Sequence, residues 1–436
     1  MAMTWRTGLL LSCWLFLVDP AAATEGTRIE QLDGLTVVYL EGSPYELGYQ
    51  HGTMLKEAVQ QVVRQVLGYF RRYVKIPILG TVATNWWLDR SWKDSMPFVP
   101  EDSLRELEGL ADGAGVSRQD LWRLHAIPDR TYACSNFAAW GAATVGGRLV
   151  HGRNLDWNID VGIQRYATIF VVRRPGRHAF VNVGWAGFIG VLTGINAQRV
   201  SIGQIGAESA DVSYRGVPMT FLMRAVLEEA ADVEMAVQRI RQARRTVGVN
   251  YLVADAKARR AVVIETTAHD AEVFEADDPK EHRVPYARPI ADAVFRADTA
   301  MNSEIRDRQI ASGGNPGRPG LESPSGSAYD VRYVGQAERI TQRYGSIDPD
   351  AATEIAKAVA PSSNVQSVVF AWPEMWVANA EGTTPAARTT YRQLNLEALF
   401  RDHAPLVVAI LESPGAARGG VLGAPERKTV IGSGLS

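Results

Sequence analysis

Tyr132-Ala133-Cys134-Ser135-Asn136-Phe137 is followed by His151-Gly152-Arg153-Asn154-Leu155-Asp156-Trp157, and these two stretches decide how the chain is interpreted. The chain has two cysteines, and the other, Cys13, falls within an N-terminal apolar run. Once that run is set aside as a leader, a lone thiol remains, which cannot form an intramolecular disulfide or a cysteine-rich metal site. Cys134 is then either a buried structural thiol or a nucleophile, and its neighbours favour the nucleophile.

The first 23 residues have the layout of a secretory signal peptide. Arg6 gives a charged start, residues 9–18 are apolar, and Ala21-Ala22-Ala23 is a cleavage site of small residues. The apolar run is well below the roughly 20 residues that span a bilayer. We therefore expect residues 1–23 to be removed and the mature protein to be secreted or periplasmic, with no stable membrane span. The alternative is an uncleaved N-terminal anchor.

The composition is that of a large soluble protein that does not bind nucleic acid. A hydrophobic content of 46% over 436 residues can build a large core, and the formal net charge of −2 lacks the basic excess of a nucleic-acid-binding protein. We find no cluster of histidines and carboxylates with metal-site spacing and no glycine-rich phosphate loop. The sequence thus predicts no metal, no cofactor and no nucleic-acid partner.

The order of predicted elements changes at Cys134. Before it, apolar residues recur at steps of three and four from Leu55 to Phe70, which predicts a helix, whereas residues 76–100 break this pattern. After it strands predominate, and Gly146-Gly147 predicts a hairpin that joins the first two of them. Further helices and strands follow without the regular alternation of a doubly wound parallel sheet. This order predicts layered α+β or α/β packing around antiparallel hairpins.

Two later segments are expected to carry little regular structure. Residues 312–327 are dense in glycine, proline and serine, which predicts a mobile loop. Residues 413–436 are expected to form a loosely ordered tail.

A nucleophilic cysteine needs a base, because an ordinary thiol pKa near 8.5 leaves only a few per cent thiolate at neutral pH. A histidine is one possible base, although none of the seven histidines lies in a recognisable partner motif. Self-cleavage before Cys134 is another, since the new α-amine has a pKa of about 7.7–8.0 and can act on its own thiol. The predicted hairpin brings Arg153 and Asp156 near Cys134, where a carboxylate can orient the ammonium and a guanidinium can stabilise a thiolate or substrate carbonyl.

The two motifs resemble those of the N-terminal-nucleophile hydrolases. The most similar group is the peptidase family C45 acyltransferases and hydrolases, which includes penicillin acyltransferase and is related to acid ceramidase and N-acylethanolamine acid amidase. Three further stretches are similar to motifs of that group, in the same order along the chain: residues 42–52 (GSPYELGYQHG), residues 249–255 with the later Glu265-Thr266, and Asp298-Thr299-Ala300-Met301-Asn302. The resemblance covers residues 36–400 or so.

The resemblance implies a fold and a maturation step. The fold would be a four-layer αββα sandwich with antiparallel sheets, made as a precursor that cuts itself between Ala133 and Cys134. Residues 24–133 would then be the pro-segment or α chain and residues 134–412 the catalytic β chain, and the two chains would remain associated. The implied activity is hydrolysis or acyl transfer on the linear amide bond of a small N-acyl amide, through a thioester on Cys134.

The hairpin and the resemblance together lead to a set of expected site residues, each of which has a structural alternative. The expected catalytic residues are Cys134, Arg153, Asp156 and Asn302, with Asn196 and Arg332 as substrate-binding residues. Asn302 would hold the oxyanion, although Ser303-Glu304 follows it where the group has histidine and an aromatic residue. The alternatives are an ion pair at a hairpin end for Arg153 and Asp156, a turn or cap for each asparagine, and a solvated arginine at 332.

Two other hypotheses remain open at this point. Cys134 could be an internal nucleophile with a histidine base in an unprocessed thiol hydrolase. The protein could also be a non-catalytic exported binding protein that retains the fold.

Overall fold

We describe a computed structural model of the protein over residues 26–73, 77–130, 133–311 and 331–401. The predicted leader, the predicted loop at 312–327 and the predicted tail from 413 lie outside these residues. None of the helices described is long and apolar enough to cross a membrane.

The described residues form fifteen strands and eleven α-helices. The strands are β1 (Arg28–Leu32), β2 (Leu35–Glu41), β3 (Ala133–Gly141), β4 (Gly147–Asp156), β5 (Ala167–Arg173), β6 (Phe180–Trp185), β7 (Thr193–Asn196), β8 (Val200–Gly206), β9 (Val249–Asp255), β10 (Arg260–Thr266), β11 (Ala271–Phe274), β12 (Ala293–Arg296), β13 (Asn364–Ala371), β14 (Glu374–Asn379) and β15 (Arg392–Asn395). The helices are α1 (Pro44–Met54), α2 (Lys56–Tyr73), α3 (Pro77–Ser95), α4 (Glu101–Ala114), α5 (Arg118–Ala126), α6 (Met219–Glu229), α7 (Val233–Gln242), α8 (Ser303–Ala311), α9 (Val331–Arg343), α10 (Pro349–Val359) and α11 (Leu396–Phe400).

The strands form two sheets that face each other. One sheet has the order β1-β2-β5-β6-β7-β8-β9-β10-β11 and the other the order β12-β3-β4-β13-β14-β15. Strands β3, β4 and β12 contact β8, β9 and β10 across the space between the sheets. Helices α1, α6 and α7 pack on the outer face of the first sheet, and α9 and α10 on the outer face of the second. The expected four-layer αββα sandwich is confirmed.

One pair of strands departs from the antiparallel expectation. Strand β2 pairs in parallel with β5, with Val37 opposite Ile169 and Leu40 opposite Val172. More than 120 residues separate the two strands, which leaves ample chain for the crossover that a parallel pair requires. As a result, residues from before Cys134 complete the edge of a sheet that is otherwise built from residues after it.

Helices α1 and α4 pack backbone against backbone, and this explains Gly48 and Gly52 of the 42–52 motif. A Cβ atom on Gly48 would lie 1.9 Å from the carbonyl oxygen of Glu106, and a Cβ on Gly109 would lie 2.0 Å from that of Tyr45. Real Cβ contacts are never so short, so only glycine permits this approach. The early motif is therefore a packing motif of the helical part.

The prediction that residues 76–100 interrupt the helices is wrong, since α3 fills most of this stretch. The helix begins at Pro77, which a first helical turn tolerates. It buries Leu88 and Trp92, while Trp86 is exposed. Its apolar residues are spread around the helix, so the sequence shows no single apolar face.

Candidate active site

The hairpin of β3 and β4 places the two cysteine-region motifs side by side. The strands are antiparallel, with Cys134 opposite Leu155, Asn136 opposite Arg153 and Ala133 opposite Asp156. Residues 142–146 connect the strands, and Gly146 and Gly147 at the end of this connection both have a φ of +68°, a left-handed conformation that glycine adopts readily. The structure thus brings Arg153 and Asp156 to Cys134, as the hairpin predicts.

The thiol of Cys134 lies in the buried space between the sheets. Arg153 Nη2 is 3.8 Å from its Sγ, and Gln204 Nε2, from β8 of the opposite sheet, is 3.2 Å away. All three side chains are buried. Burial raises the pKa of the Cys134 thiol above its ordinary value, and the nearby Arg153 opposes this only in part. The thiol therefore holds its proton at neutral pH and needs a base.

Arg153 has N–H groups beside this thiol that form no hydrogen bond with the described residues. Its Nη2 also donates to the carbonyl oxygen of Gln204, at 3.3 Å, whereas Nε and Nη1 are buried with no hydrogen-bond partner among the described residues. Burial lowers the pKa of the Arg153 guanidinium, and the thiol and Asp156 act in the opposite direction. An unsatisfied buried guanidinium favours any negative charge that develops on sulfur or on an oxygen beside it.

The backbone nitrogen of Cys134 faces a chain of charged groups. Its N–H donates to Asp298 Oδ1 at 3.0 Å. The other oxygen of Asp298 accepts from Arg332, whose Nη1 donates to Asp156 Oδ2 at 2.6 Å. Asp156 Oδ1 in turn accepts from Asn364 Nδ2 at 3.1 Å. Arg332 therefore bridges two carboxylates beside the bond that self-cleavage would break.

Asp156 is the most buried member of this chain of charges. Burial raises its pKa to about 6, although Arg332, Asn364 and Arg153 all favour the charged form. With Asp156 and Asp298 ionised, their two negative charges balance the two positive charges of Arg153 and Arg332. These four groups of the uncut chain then have no net charge.

Asn302 lies at the N-terminus of α8 and acts there as a cap. Its Oδ1 accepts from the backbone N–H of Ile305 at 3.0 Å, and its own N–H donates to Glu265 Oε2 at 2.8 Å. This is the cap that the structural alternative anticipated. The predicted oxyanion role of Asn302 remains a prediction.

The structure corrects the assignment of Asn196 as a substrate-binding residue. Its Nδ2 donates to the carbonyl oxygens of Leu227 and Ala230, at 2.9 and 2.8 Å, and its Oδ1 accepts from the N–H of Val200 at 3.0 Å. Both amide protons are in use and the side chain is completely buried. Asn196 joins the end of β7 to the end of α6, so it has no proton to donate to a substrate.

Arg332 is not the solvated arginine of the structural alternative. Its two ion pairs hold it against Asp156 and Asp298, and its side chain is mostly buried. Contact between Arg332 and a substrate remains a prediction.

Three site residues were given no role in the sequence analysis: Asp298, although it opens the 298–302 motif, and Gln204 and Asn364. Strand β12 pairs with β3 so that Arg296 lies opposite Asn136. Continuing that antiparallel register by two residues places Asp298 opposite Cys134, so the pairing of the two strands would have identified it. Gln204 carries a weaker signal, namely a long polar side chain within the apolar stretch VSIGQIG.

A buried ion network holds the segment that carries Asp298. Glu265 Oε1 accepts from Arg296 Nε and from the N–H of Met301, both at 2.7 Å, and Arg296 also pairs with Glu281. Arg296 and Glu265 are almost completely buried. Glu265 thus fixes the turn between β12 and α8, which gives a structural role to the later part of the middle motif.

The histidines that the structure describes do not supply a base for the thiol. Among the described residues, no histidine forms a hydrogen bond with Cys134 Sγ. His51 Nε2 accepts from the N–H of Gly187 at 2.9 Å, and His125 Nε2 accepts from the N–H of Ile189 at 3.1 Å. His151 Nδ1 lies 2.8 Å from Ser201 Oγ. Burial lowers the pKa of His51 and His151 to about 3 and that of His125 to about 4.

An apolar cleft opens next to the hairpin. It is narrow and contains about 530 Å³ of empty space, which includes solvent at its open side. Leu155, which lies opposite Cys134, lines it. Ile127 and Pro128 from before Cys134 and Trp185 and Phe188 from after it also line the cleft.

Comparisons with known proteins find a matching family model and several relatives. Residues 144–282 match the family model described as acyl-coenzyme A:6-aminopenicillanic acid acyl-transferase. Protein dcd1B of Dictyostelium discoideum is 29% identical over 269 residues, which are 56% of this chain and 53% of that protein. The N-acylethanolamine-hydrolyzing acid amidase of Oryctolagus cuniculus is 23% identical over 198 residues, 43% of this chain and 54% of that protein.

A solved structure is also similar, the Caenorhabditis elegans ortholog of N-acylethanolamine-hydrolyzing acid amidase. It has a TM-score of 0.40 at 17% identity and covers 55% of this chain and 92% of that chain. The chain spans about half the length of the two curated relatives named above. The resemblance read from the cysteine motifs is confirmed: the chain is similar to the penicillin acyltransferase family and to N-acylethanolamine-hydrolyzing acid amidase.

Proposed function

We propose that the protein is an exported, self-processing cysteine amidohydrolase or acyltransferase that acts on the linear amide bond of small N-acyl amides. The main support for the proposal is that the Sγ atom and the backbone nitrogen of Cys134, the two atoms that would react, both contact polar or charged groups suited to that chemistry. The Sγ atom lies beside Arg153 and Gln204, and the backbone nitrogen is bonded to Asp298 in a chain of charges that includes Arg332.

Self-cleavage would proceed within this arrangement. The thiol of Cys134 adds to the carbonyl carbon of Ala133, and the C–N bond breaks as the nitrogen takes up the thiol proton. Water then hydrolyses the resulting thioester, which leaves a carboxylate on Ala133 and a free thiol and α-amine on Cys134. The unpartnered nitrogens of Arg153 favour the tetrahedral oxyanion formed on the way.

Turnover would use the new α-amine as the base. It accepts the thiol proton, the thiolate attacks the amide carbonyl of the substrate, and the leaving amine departs with a proton from the ammonium. The acyl group remains on sulfur as a thioester. Water releases it as an acid, or an amine acceptor takes it in an acyl transfer.

The charges around Cys134 support the ammonium–thiolate form. Before cleavage the two arginines and two carboxylates sum to zero, so an ammonium and a thiolate together leave the site neutral. In this proposal Asp298, which accepts from the Cys134 nitrogen, and the nearby Asp156 hold the ammonium, and Arg153 holds the thiolate. The relatives named N-acylethanolamine-hydrolyzing acid amidase give the substrate class, since their name states the hydrolysis of an N-acyl amide.

The two chains would remain associated after cleavage, because buried contacts join them. Glu106 of α4 forms a two-pronged ion pair with Arg224 of α6, at 2.6 and 2.8 Å, and both side chains are buried. His51 and His125 accept hydrogen bonds from the backbone of residues 187–189. We propose that residues 24–133 stay in place as the α chain after removal of the leader.

The mass of the purified protein tests the proposal. We expect two chains, the larger beginning at Cys134, and one uncut, inactive chain for Cys134→Ala. A variant at the neighbouring buried Ser135, Ser135→Ala, should still split, because Ser135 faces the other side of β3 and contacts Asn154. Splitting of Cys134→Ala into the same two chains would refute self-cleavage.

The same preparation separates the two other hypotheses. One intact chain with thiol-dependent amidase activity would favour an unprocessed thiol hydrolase. An intact chain without activity, whose Cys134 reacts with a thiol reagent no faster than an ordinary buried cysteine, would favour a binding protein.

A further inference from the structure

The segment before the Ala133–Cys134 bond is fastened to helix α6. Asp129 lies in a short turn, Pro128–Arg130, that follows α5. Its Oδ1 accepts from the backbone N–H of Met219, the first residue of α6, at 2.9 Å and across 90 residues of sequence. The last turn before the bond is thus tied to a helix that comes after it in the chain.

The start of α6 needs such a partner. The first N–H groups of a helix have no acceptor within the helix, and the helix dipole favours a carboxylate beside them. The residue that would normally supply the acceptor is Pro218, whose side chain makes no cap hydrogen bond. Asp129 therefore provides from a distant part of the chain the acceptor that a serine or aspartate at position 218 would provide locally.

Helix α6 is a firm point of attachment. Its residues 219–228 are all buried. Arg224 in its middle donates to Glu106 of α4 and to the carbonyl oxygen of Ile189. The helix also contacts β8, the strand from which Gln204 reaches the thiol. A group that is tied to the start of α6 is therefore held relative to the nucleophile.

The other side of the bond is held by the second sheet. Ala133 pairs with Asp156 in the hairpin, and the N–H of Cys134 donates to Asp298 Oδ1 at 3.0 Å. Only residues 131–132 separate the short turn from Ala133. Consecutive Cα atoms are about 3.8 Å apart, so a stretch this short has little freedom between two fixed ends.

We propose that Asp129 is a positioning residue for self-cleavage, an inference that rests on the proposed function. Attack of the Cys134 thiol on the carbonyl carbon of Ala133 requires the two atoms to be in reach and in line, and a misplacement of about 1 Å can cost about 100-fold in rate. Asp129 restricts the acyl side of that bond, as the sheet restricts the amine side. It acts through the backbone and takes no part in the bond changes.

Breaking the bond ends this role. The carbonyl of Ala133 then belongs to a chain end that is no longer joined to the thiol, and a substrate brings its own carbonyl. Asp129 should therefore control the rate of splitting without controlling the turnover of a small amide. A residue that merely stabilises the fold would not separate these two rates.

The rate of splitting after cell-free synthesis of the full chain, followed by intact mass, tests the proposal. Asp129→Ala should split about tenfold more slowly than the parent, and Asp129→Asn, which keeps an acceptor, should recover most of the rate. Once split, Asp129→Ala should hydrolyse a short N-acyl amide with the kcat/KM of the parent. Splitting of Asp129→Ala at the parental rate would overturn the proposal, and so would equal reductions of splitting and kcat/KM.

Asp232→Ala is the matched control for the loss of a helix cap. Asp232 Oδ1 accepts from the N–H of Met235 at 2.8 Å, at the start of α7 on the outer face of the first sheet. In the Cys134→Ala background it should lower the unfolding temperature about as much as Asp129→Ala does. With Cys134 present it should split at the parental rate. Equal slowing by both variants would assign the effect to stability alone and overturn the proposal.

A second pair of variants changes the donor instead of the acceptor. Met219→Pro removes the N–H that Asp129 accepts. Proline is tolerated as the first residue of a helix, and Pro218 already has the extended conformation that suits the residue before a proline. Met219→Ala loses the same buried side chain but keeps the N–H. Met219→Pro should split about tenfold more slowly than Met219→Ala, and equal rates would overturn the proposal even if Asp129→Ala did not fold.

These outcomes are distinct from failure of the proposed function. A parent chain that never splits at Cys134 would refute the function itself. A parent that splits, with Asp129 and Met219 variants that split equally fast, would refute only the role of Asp129.

Discussion

The backbone nitrogen of Cys134 donates a hydrogen bond to Oδ1 of Asp298 at 3.0 Å, across 164 residues of sequence. The pairing of β12 with β3 produces this contact, and Glu265 holds the turn that presents Asp298. A carboxylate thus already contacts the nitrogen that self-cleavage would turn into an ammonium. Asp298 is for this reason the first residue that we would change.

Replacing Asp298 by asparagine should shift the pH dependence of turnover. A nearby carboxylate raises the pKa of an amine, so its loss lowers that pKa and moves the corresponding limb of the kcat/KM profile to lower pH, by about 1 unit. Asparagine can still accept the hydrogen bond, so splitting should persist at a reduced rate. Asp277→Asn, at an exposed carboxylate paired with His282, is the control. An unshifted limb in Asp298→Asn would contradict a role for Asp298 at the amine.

Removing Arg332 should destabilise the fold as well as the site. Asp156 and Asp298 would lose the cation between them, and a buried charge left without its partner is costly, by about 3 kcal/mol for a buried pair. Chemical unfolding of Arg332→Ala, compared with the parent in the uncut Cys134→Ala background, measures this loss. Arg332→Lys should recover part of it. Equal stabilities of the parent and Arg332→Ala would show that the bridge contributes nothing.

Gln204 should control the reactivity of the thiol. Its Nε2 donates to Cys134 Sγ, and a hydrogen bond to sulfur favours the thiolate. In Gln204→Leu, the thiol pKa should rise and alkylation of the processed enzyme should slow about tenfold at neutral pH. The rate of reaction with iodoacetamide as a function of pH measures both. Asn364→Leu serves for comparison, because it perturbs Asp156 and leaves the contact to sulfur intact. An unchanged alkylation profile in Gln204→Leu would exclude this role.

The buried histidines should make the fold sensitive to acid. His125 is neutral in the folded protein, where its pKa is about 4, whereas in the unfolded chain it binds a proton below about 6.5. Its contribution to stability is therefore complete above pH 6.5 and is lost as the pH falls towards 4, by about 1.4 kcal/mol per pH unit. His51 behaves in the same way with a pKa of about 3.

The test compares variants because other groups act in the opposite direction. The buried carboxyls Asp156, Glu106 and Glu265 have raised pKa values, so they favour the folded state as the pH falls. His125→Gln removes one titrating group and retains an acceptor for the N–H of Ile189. Its stability should fall less steeply between pH 6.5 and 5 than that of the parent, with both in the Cys134→Ala background. Parallel curves would contradict the buried neutral state of His125.

Local patterns were enough to predict the hairpin and the layered fold. Glycines at 146 and 147 mark the turn, and period-two strands on either side fix Arg153 near Cys134. Asn196 shows where such reasoning ends, because its position in a turn-like TGIN stretch does not reveal that α6 takes both of its amide protons. Asp298 contacts Cys134 because β12 pairs with β3, and these strands are far apart in the sequence. A single sequence does not indicate which distant strands pair.

The complete burial of Cys134 has a consequence for the chemistry of oxidation. Peroxide and disulfide reagents attack a thiolate that they can reach, and the rate follows both exposure and ionisation. In the uncut chain, the sulfur is shielded between two sheets and its raised pKa keeps it protonated. The sulfur of the uncut chain is thus protected from sulfenic acid and mixed-disulfide formation.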